Sequence, residues 1–253
     1  MSKKSLISVR KLTIIGILGG ISAILGMTPI GLIPVGPTNA TIMHIPVIIG
    51  AIIEGPFVGA MVGLIFGIFS IIRAITAPTV ISPVLYNPIV SVLPRVLIGI
   101  TSYYTYILIK KVGKKPSIIL LSIVWISSII YLINSLVTQI GQYSLGNTSI
   151  WSIILSAILV ICTVIIGAYS FKKAKEQSLE IIISAMVGTL TNTIGVLGSI
   201  YLLYGKWYVE KLGKDTEAVG KVILGIGLAN GIPEMIIAIL IVTSVVVGIR
   251  KRF

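Results

Sequence analysis

Charge is what this chain has least of: Asp, Glu, Lys and Arg make up 11% of its residues, against roughly 25% in soluble domains. Only 7 residues are acidic, one is histidine (His44) and one is cysteine (Cys162). A single cysteine excludes an internal disulfide and, with a single histidine, a Cys/His zinc cluster. No G-x-x-x-x-G-K-[ST] string occurs, so the chain carries no phosphate-binding loop of its own. H-E-x-x-H and G-x-S-x-G are missing too, and no two carboxylates stand close together within an apolar run. Hydrolytic chemistry therefore has no visible team of residues, and neither a metal nor a cofactor is expected.

What is there is apolar: hydrophobic residues reach 56% and mean hydropathy is +1.09. A soluble chain with this much apolar surface would precipitate, so the solvent for most side chains is lipid. The net charge of +13 does not point to nucleic acid. The Lys and Arg residues fall in short clusters between apolar runs, as in loops that stay on the cytoplasmic side. No basic stripe alternates with aromatics. Cys162, inside an apolar run, reads as a small packing residue.

A spanning helix needs about 20 apolar residues. Apolar segments run over Leu12–Met27, Thr41–Ile53, Phe57–Ile72, Ile89–Ile109, Ile118–Ile140, Ile150–Phe171, Ile181–Tyr204 and Val222–Ile249. These predict an all-α integral membrane bundle of six to eight crossings. The first segment follows basic residues, as a signal peptide does, but lacks a small-x-small cleavage site and reads as a first span. The second is short and contains Pro46, so it is either a short crossing or half of a re-entrant hairpin with the third.

The basic clusters Lys3/Lys4/Arg10/Lys11, Lys110/Lys111/Lys114/Lys115, Lys172/Lys173/Lys175 and Arg250/Lys251/Arg252 are separated by even numbers of crossings. All fall on one side, which the positive-inside rule makes cytoplasmic, with both termini there. The expected location is the plasma membrane.

Polar residues inside apolar runs cost roughly 3 kcal/mol each when charged, so they are informative. Arg95 follows Pro94 early in the fourth span. Glu234 lies in Asn230-Gly231-Ile232-Pro233-Glu234, a sequence expected to break the last helix. Asn192 lies within Gly188–Thr193, Arg73 ends the third segment, and Tyr86-Asn87 precede the fourth. With the orientation above, most map to the outer half of the membrane. A set of polar groups from several segments at one depth favours a cavity open to the outside. Arg95 and Glu234 could instead form a structural ion pair, and Asn192 could bond a neighbouring helix. Lone His44 is expected to be hydrogen-bonded near the outer surface. The Pro/Gly-rich, uncharged connection Thr28–Pro37 suits a lid over such a cavity. Gly16, Gly20 and Ala23 place small residues at helical spacing on the first span, where another helix could approach closely.

The stretch Thr41–Pro56 with the glycine-spaced third segment resembles the substrate-binding S component of energy-coupling factor (ECF) vitamin transporters. Ser91–Gly99, Gly188–Thr193 and Asn230–Glu234 are similar to the same family, and the pantothenate-type branch is the nearest likeness. The resemblance implies a six-helix core, here about 12–109 and 181–249, with a short second helix and an inserted helical hairpin at about 116–171. It implies a single transmembrane domain with a vitamin site in the outer half under the first loop, and a first-helix face, here Gly16, Gly20 and Ala23, that docks an energising membrane subunit. Two ATP-binding cassette ATPases complete the assembly, in keeping with the missing phosphate loop. The candidate substrate-binding set is Asn39, His44, Arg73, Tyr86, Asn87, Arg95, Asn192, Asn230 and Glu234. The expected substrate is a small water-soluble vitamin: pantothenate, because Arg95 or Arg73 could pair with its carboxylate, or a neutral one such as riboflavin should Glu234 neutralise Arg95. An ion-coupled secondary transporter is the alternative; it calls for inverted repeats and midplane carboxylates, and no convincing repeat is visible.

Overall fold

The computed structural model of the protein describes residues 8–35, 38–79, 82–144, 149–175, 179–213 and 219–250. Among these, seven helices are long and apolar enough to cross a membrane, and the chain is a multi-pass helical membrane protein. The order is α1 (Val9–Met27), β1 (Leu32–Val35), β2 (Thr38–Thr41), α2 (Ile45–Glu54), α3 (Pro56–Thr76), α4 (Ser82–Leu85), α5 (Pro88–Ser91), α6 (Leu93–Val112), α7 (Lys114–Ser144), α8 (Ile150–Lys175), α9 (Leu179–Lys211) and α10 (Val219–Arg250). The two strands are an addition to the expected all-α architecture. They pair antiparallel, Leu32 opposite Thr41 and Val35 opposite Thr38, within the connection read as a plain lid loop.

The short second segment runs back toward the end of the bundle where α1 begins. α2 has 10 residues, or about 15 Å at 1.5 Å per residue, half of a ~30 Å hydrocarbon core. Its residues Ile45 to Ile52 are all buried, as expected for a helix that is apolar all round. At the far end Glu54 forms a 2.7 Å ion pair with Arg10 at the start of α1, so the chain has come back to the side from which α1 left. Gly55 makes the sharp turn into α3, with φ of 101°.

Glycine sets the packing of α3 on α6. Gly59, Gly63 and Gly67 lie four residues apart on one face of α3. A Cβ at Gly59 would lie 2.8 Å from the Gly99 Cα, one at Gly63 2.1 Å from the Arg95 carbonyl oxygen, and one at Gly67 2.7 Å from the Val92 Cα. The two backbones are in direct contact, the small-residue mode by which membrane helices approach closely. α9 joins the same core: Gly188 abuts Ser102 and Ile48, and Gly195 abuts Pro94. The expected break at Asn230–Pro233 does not occur, because α10 runs unbroken from Val219 to Arg250 with Pro233 inside it. Proline removes only one donor, so the helix loses a single rung there.

α7 and α8 form the antiparallel hairpin predicted at about 116–171. Trp125 of α7 is fully buried against Gly167 of α8, and Gln139 accepts a hydrogen bond from Ser156 across the pair. Their outer faces, with Ile119, Ile123, Ile126, Ile154, Ile158 and Ile161 among them, are exposed and apolar, the surface a bilayer covers.

Candidate functional site

A cavity of about 270 Å³ lies at the end of the bundle opposite the Arg10–Glu54 pair. It is enclosed by the end of α1 (Gly26), the base of β2 (Thr41), Met43, the last turns of α3 (Phe66, Ser70, Arg73, Ala74), the α3–α4 connection, Arg95 of α6, Asn192, Thr193 and Val196 of α9, and Asn230 and Glu234 of α10. Five of the nine expected binding residues thus meet in one cavity: Arg73, Arg95, Asn192, Asn230 and Glu234.

Their hydrogen bonds separate them into two kinds. Arg95 is 7% exposed. One Nη1–H donates to the Val90 carbonyl at 2.6 Å and the guanidinium stacks over the Phe66 ring at 5.4 Å, but its Nε–H is buried without a partner. The Asn192 and Asn230 amide oxygens are likewise buried and unpartnered. Native interiors leave few such groups unpaired, and three of those among the described residues lie around this one cavity.

Glu234 is the opposite case. Its Oε1 accepts from both the backbone N–H and the hydroxyl of Thr41, each at 2.8 Å, and its Oε2 lies 3.5 Å from the Thr193 hydroxyl. No Arg95–Glu234 ion pair forms among the described residues, so that structural alternative fails. Arg73 also binds protein: its Nη1 donates to the Gly26 carbonyl at 2.5 Å and lies 3.4 Å from that of Thr28.

The remaining expected residues stand elsewhere. His44 is fully buried, not near the outer surface, and does not line the cavity. The Thr189 hydroxyl donates to the Ala185 carbonyl, so the His44 Nε2–H is the donor in the 3.0 Å contact to Thr189, and Nδ1 is left unpaired. The hydrogen bond expected for His44 is present; a place in the cavity is not. Tyr86 is 43% exposed and outside the cavity. Asn87 caps α5 by accepting from the Ile89 N–H and donates to the Tyr204 hydroxyl. That is a structural role, the ordinary use of Asn before a helix. The Asn39 side chain lies outside the described side chains. Reading by residue class missed Thr41 and Thr193, which complete the Glu234 carboxylate. Hydroxyls in apolar runs are too common to stand out, and only the fold reveals their partner. On α1, Gly16 and Gly20 are exposed with nothing near their Cβ positions, whereas Ala23, two turns beyond Gly16, is buried.

The fold is thus a helical membrane bundle with a cavity at one end, into which charged and amide side chains from four helices converge. The comparisons give the family. Residues 10–166, and again 118–246, match the ECF transporter, substrate-specific component family. Together these cover most of the chain, which belongs to that family. The two matches overlap across the α7–α8 hairpin. The chain is also similar to the pantothenic acid transporter PanT of Lactococcus lactis subsp. cremoris (strain MG1363), 25% identical over 234 residues that cover 85% of this chain and 80% of that protein.

Proposed function

We propose that this protein captures pantothenate, or a closely similar carboxylate, for an ATP-driven vitamin uptake transporter. It would work beside an energising transmembrane subunit and two ATP-binding cassette ATPases, with both termini on the cytoplasmic side of the plasma membrane. The observation that carries the substrate class is the cavity's set of unpaired groups: the Arg95 Nε–H and the Asn192 and Asn230 amide oxygens. A guanidinium N–H recruits a carboxylate, and the amide oxygens take donors such as hydroxyl and amide N–H. Pantothenate carries one carboxylate, one amide and two hydroxyls on a short chain.

Size supports the same choice. The cavity, about 270 Å³, falls below the ~300–1,000 Å³ usual for drug-sized ligands, so a compact solute fits better than a three-ring flavin. Ion coupling is less favoured, because the one carboxylate lining the cavity already holds protein donors. The exposed Gly16 and Gly20 suit a docking face for the energising subunit; the buried Ala23 does not share it. The strand hairpin over the cavity suits a lid.

The test is mass spectrometry of the small molecule released when the purified protein is denatured, followed by calorimetric titration. Co-purified pantothenate and saturable binding are expected. A flavin in the released fraction, or no heat on titration with pantothenate, overturns the assignment. Uptake that persists in cells lacking the partner ATPases overturns the energising scheme.

A further inference from the structure

The β1–β2 hairpin is fastened at both stems by charged side chains that also line the cavity. At the entering stem, Arg73 holds the Gly26 and Thr28 carbonyls. These are the last acceptors of α1, at the helix end that carries partial negative charge. At the leaving stem, Glu234 holds Thr41. Thr41 is the final residue of β2 and pairs with Leu32, the first of β1, so Glu234 grips the base of the hairpin.

We infer that Glu234 and Arg73 are latches of this hairpin, positioning residues and not contacts to the solute. This rests on the reading of the cavity as a solute site. Three observations carry it. First, a strand at membrane depth needs its backbone donors satisfied, and the Thr41 N–H finds its acceptor in a charged side chain of α10. Second, below that bond the chain is stitched down: the Ile42 N–H donates to the Gly31 carbonyl at 3.1 Å, and Ser22 donates to the Met43 carbonyl at 3.2 Å. Gly31 itself is folded against α1, where a Cβ would lie 2.1 Å from the Leu25 carbonyl oxygen. A hinge at Gly31 and Ile42 with a latch at Thr41 is what a swinging flap requires. Third, of the three charged residues lining the cavity, only Arg95 keeps a buried donor without a partner. The charge left for the solute is therefore the guanidinium, and Glu234 governs entry and release.

The test reads the lid without any solute. In a Cys162→Ala background, spin labels at Val35→Cys on the hairpin and Tyr86→Cys on the rim report their separation by pulsed electron paramagnetic resonance. One narrow distance is expected with Glu234 intact. Glu234→Ala should add a longer, broad population in the ligand-free protein. Glu234→Gln should largely keep the narrow one, since its amide oxygen still accepts from Thr41, and Arg95→Ala should leave it unchanged. With solute, Glu234→Ala should speed release about tenfold or more, the usual scale for losing hydrogen bonds to a charged group.

An unchanged distance distribution in Glu234→Ala, with weakened binding, makes Glu234 a solute contact and overturns the inference. Should that variant not fold, Glu234→Met removes both acceptor oxygens at nearly constant volume. A broadened distribution then supports the latch, and an unchanged one overturns it. A lid that loosens in a protein that binds no carboxylate solute leaves the latch standing and overturns the capture reading alone.

Discussion

Gly63 lies against the backbone of Arg95 so closely that an added Cβ would come within 2.1 Å of the Arg95 carbonyl oxygen. The obstacle is a helix backbone, which cannot swing aside as a side-chain tip can. The Arg95 guanidinium, whose Nε–H is unpartnered, therefore owes its position to a hydrogen atom on the neighbouring helix. Gly63→Ala should separate α3 from α6 and cost about 1–3 kcal/mol, the usual range for overpacking, and binding should weaken as Arg95 moves. Gly16→Ala, with nothing near its Cβ position, is the control and should leave the thermal midpoint in detergent unchanged. Equal midpoints for the two variants would show that the α3–α6 contact is not tight.

Arg95 should dominate affinity for an anionic solute. Arg95→Ala removes a buried charge-assisted donor and should weaken carboxylate binding by at least tenfold, and more in a dry site, since such bonds are worth about 1.5–3 kcal/mol. Arg95→Lys keeps the charge but loses the planar fork, and should recover only part of that loss. Calorimetric titration with pantothenate and with its neutral alcohol analogue separates charge from shape. If Arg95→Ala binds both as the native protein does, the solute does not meet the guanidinium.

How much of this was legible beforehand follows from what kind of signal each residue gives. The long helices, α7 and α8 among them, were legible as long apolar runs, where lipid leaves few alternatives. Arg95, Asn192, Asn230 and Glu234 stood out because polar atoms in hydrocarbon are expensive, and all four do meet in one cavity. Their division of labour was not legible. Whether a carboxylate at position 234 faces a solute or grips Thr41 depends on where a strand 193 residues earlier in the chain lies. The hydrogen bond expected for His44 is present, but its partner Thr189 is 145 residues away, so the sequence could not show that it lies in the core and not in the cavity wall. The strand hairpin escaped notice because its prolines and glycines read as a loop.

Asn192 offers a sign test between function and stability. Its amide oxygen is buried without a protein partner, a state that costs about 1–3 kcal/mol. Asn192→Leu, of similar volume, should leave the ligand-free protein as stable as before or raise its thermal midpoint, while abolishing solute binding. Functional groups commonly carry such a stability cost. A lowered midpoint with binding intact would make Asn192 an ordinary packing residue.

The His44–Thr189 contact predicts the reverse pattern. Thr189→Val keeps the shape of the side chain and removes the oxygen that accepts the His44 Nε2–H. Both imidazole nitrogens are then buried without partners, which should lower stability by about 1–3 kcal/mol. Because neither residue lines the cavity, affinity measured well below the melting temperature should change by less than about threefold. A tenfold loss of affinity in a variant of normal stability would bring His44 back into the binding site.

Among the described residues, none of α7 or α8 lines the cavity, although Leu121, Trp125 and Leu132 join the main core. We therefore expect the hairpin to be an accessory to the bundle. Replacing residues 116–171 with a short polar linker removes an even number of crossings, so the sidedness of every other segment is preserved. The shortened protein should insert with both termini still on one side and bind solute within about threefold of the full chain. Its thermal midpoint should fall, since α9 and α10 lose apolar cover from the hairpin; lipid replaces that cover without the interlocking of packed side chains. Labelling the terminal regions from each side of the membrane checks the topology, and titration checks the site. Lost binding in a correctly inserted, folded variant would mean that the hairpin braces the cavity through α9, and the six-helix core could not then be regarded as sufficient by itself.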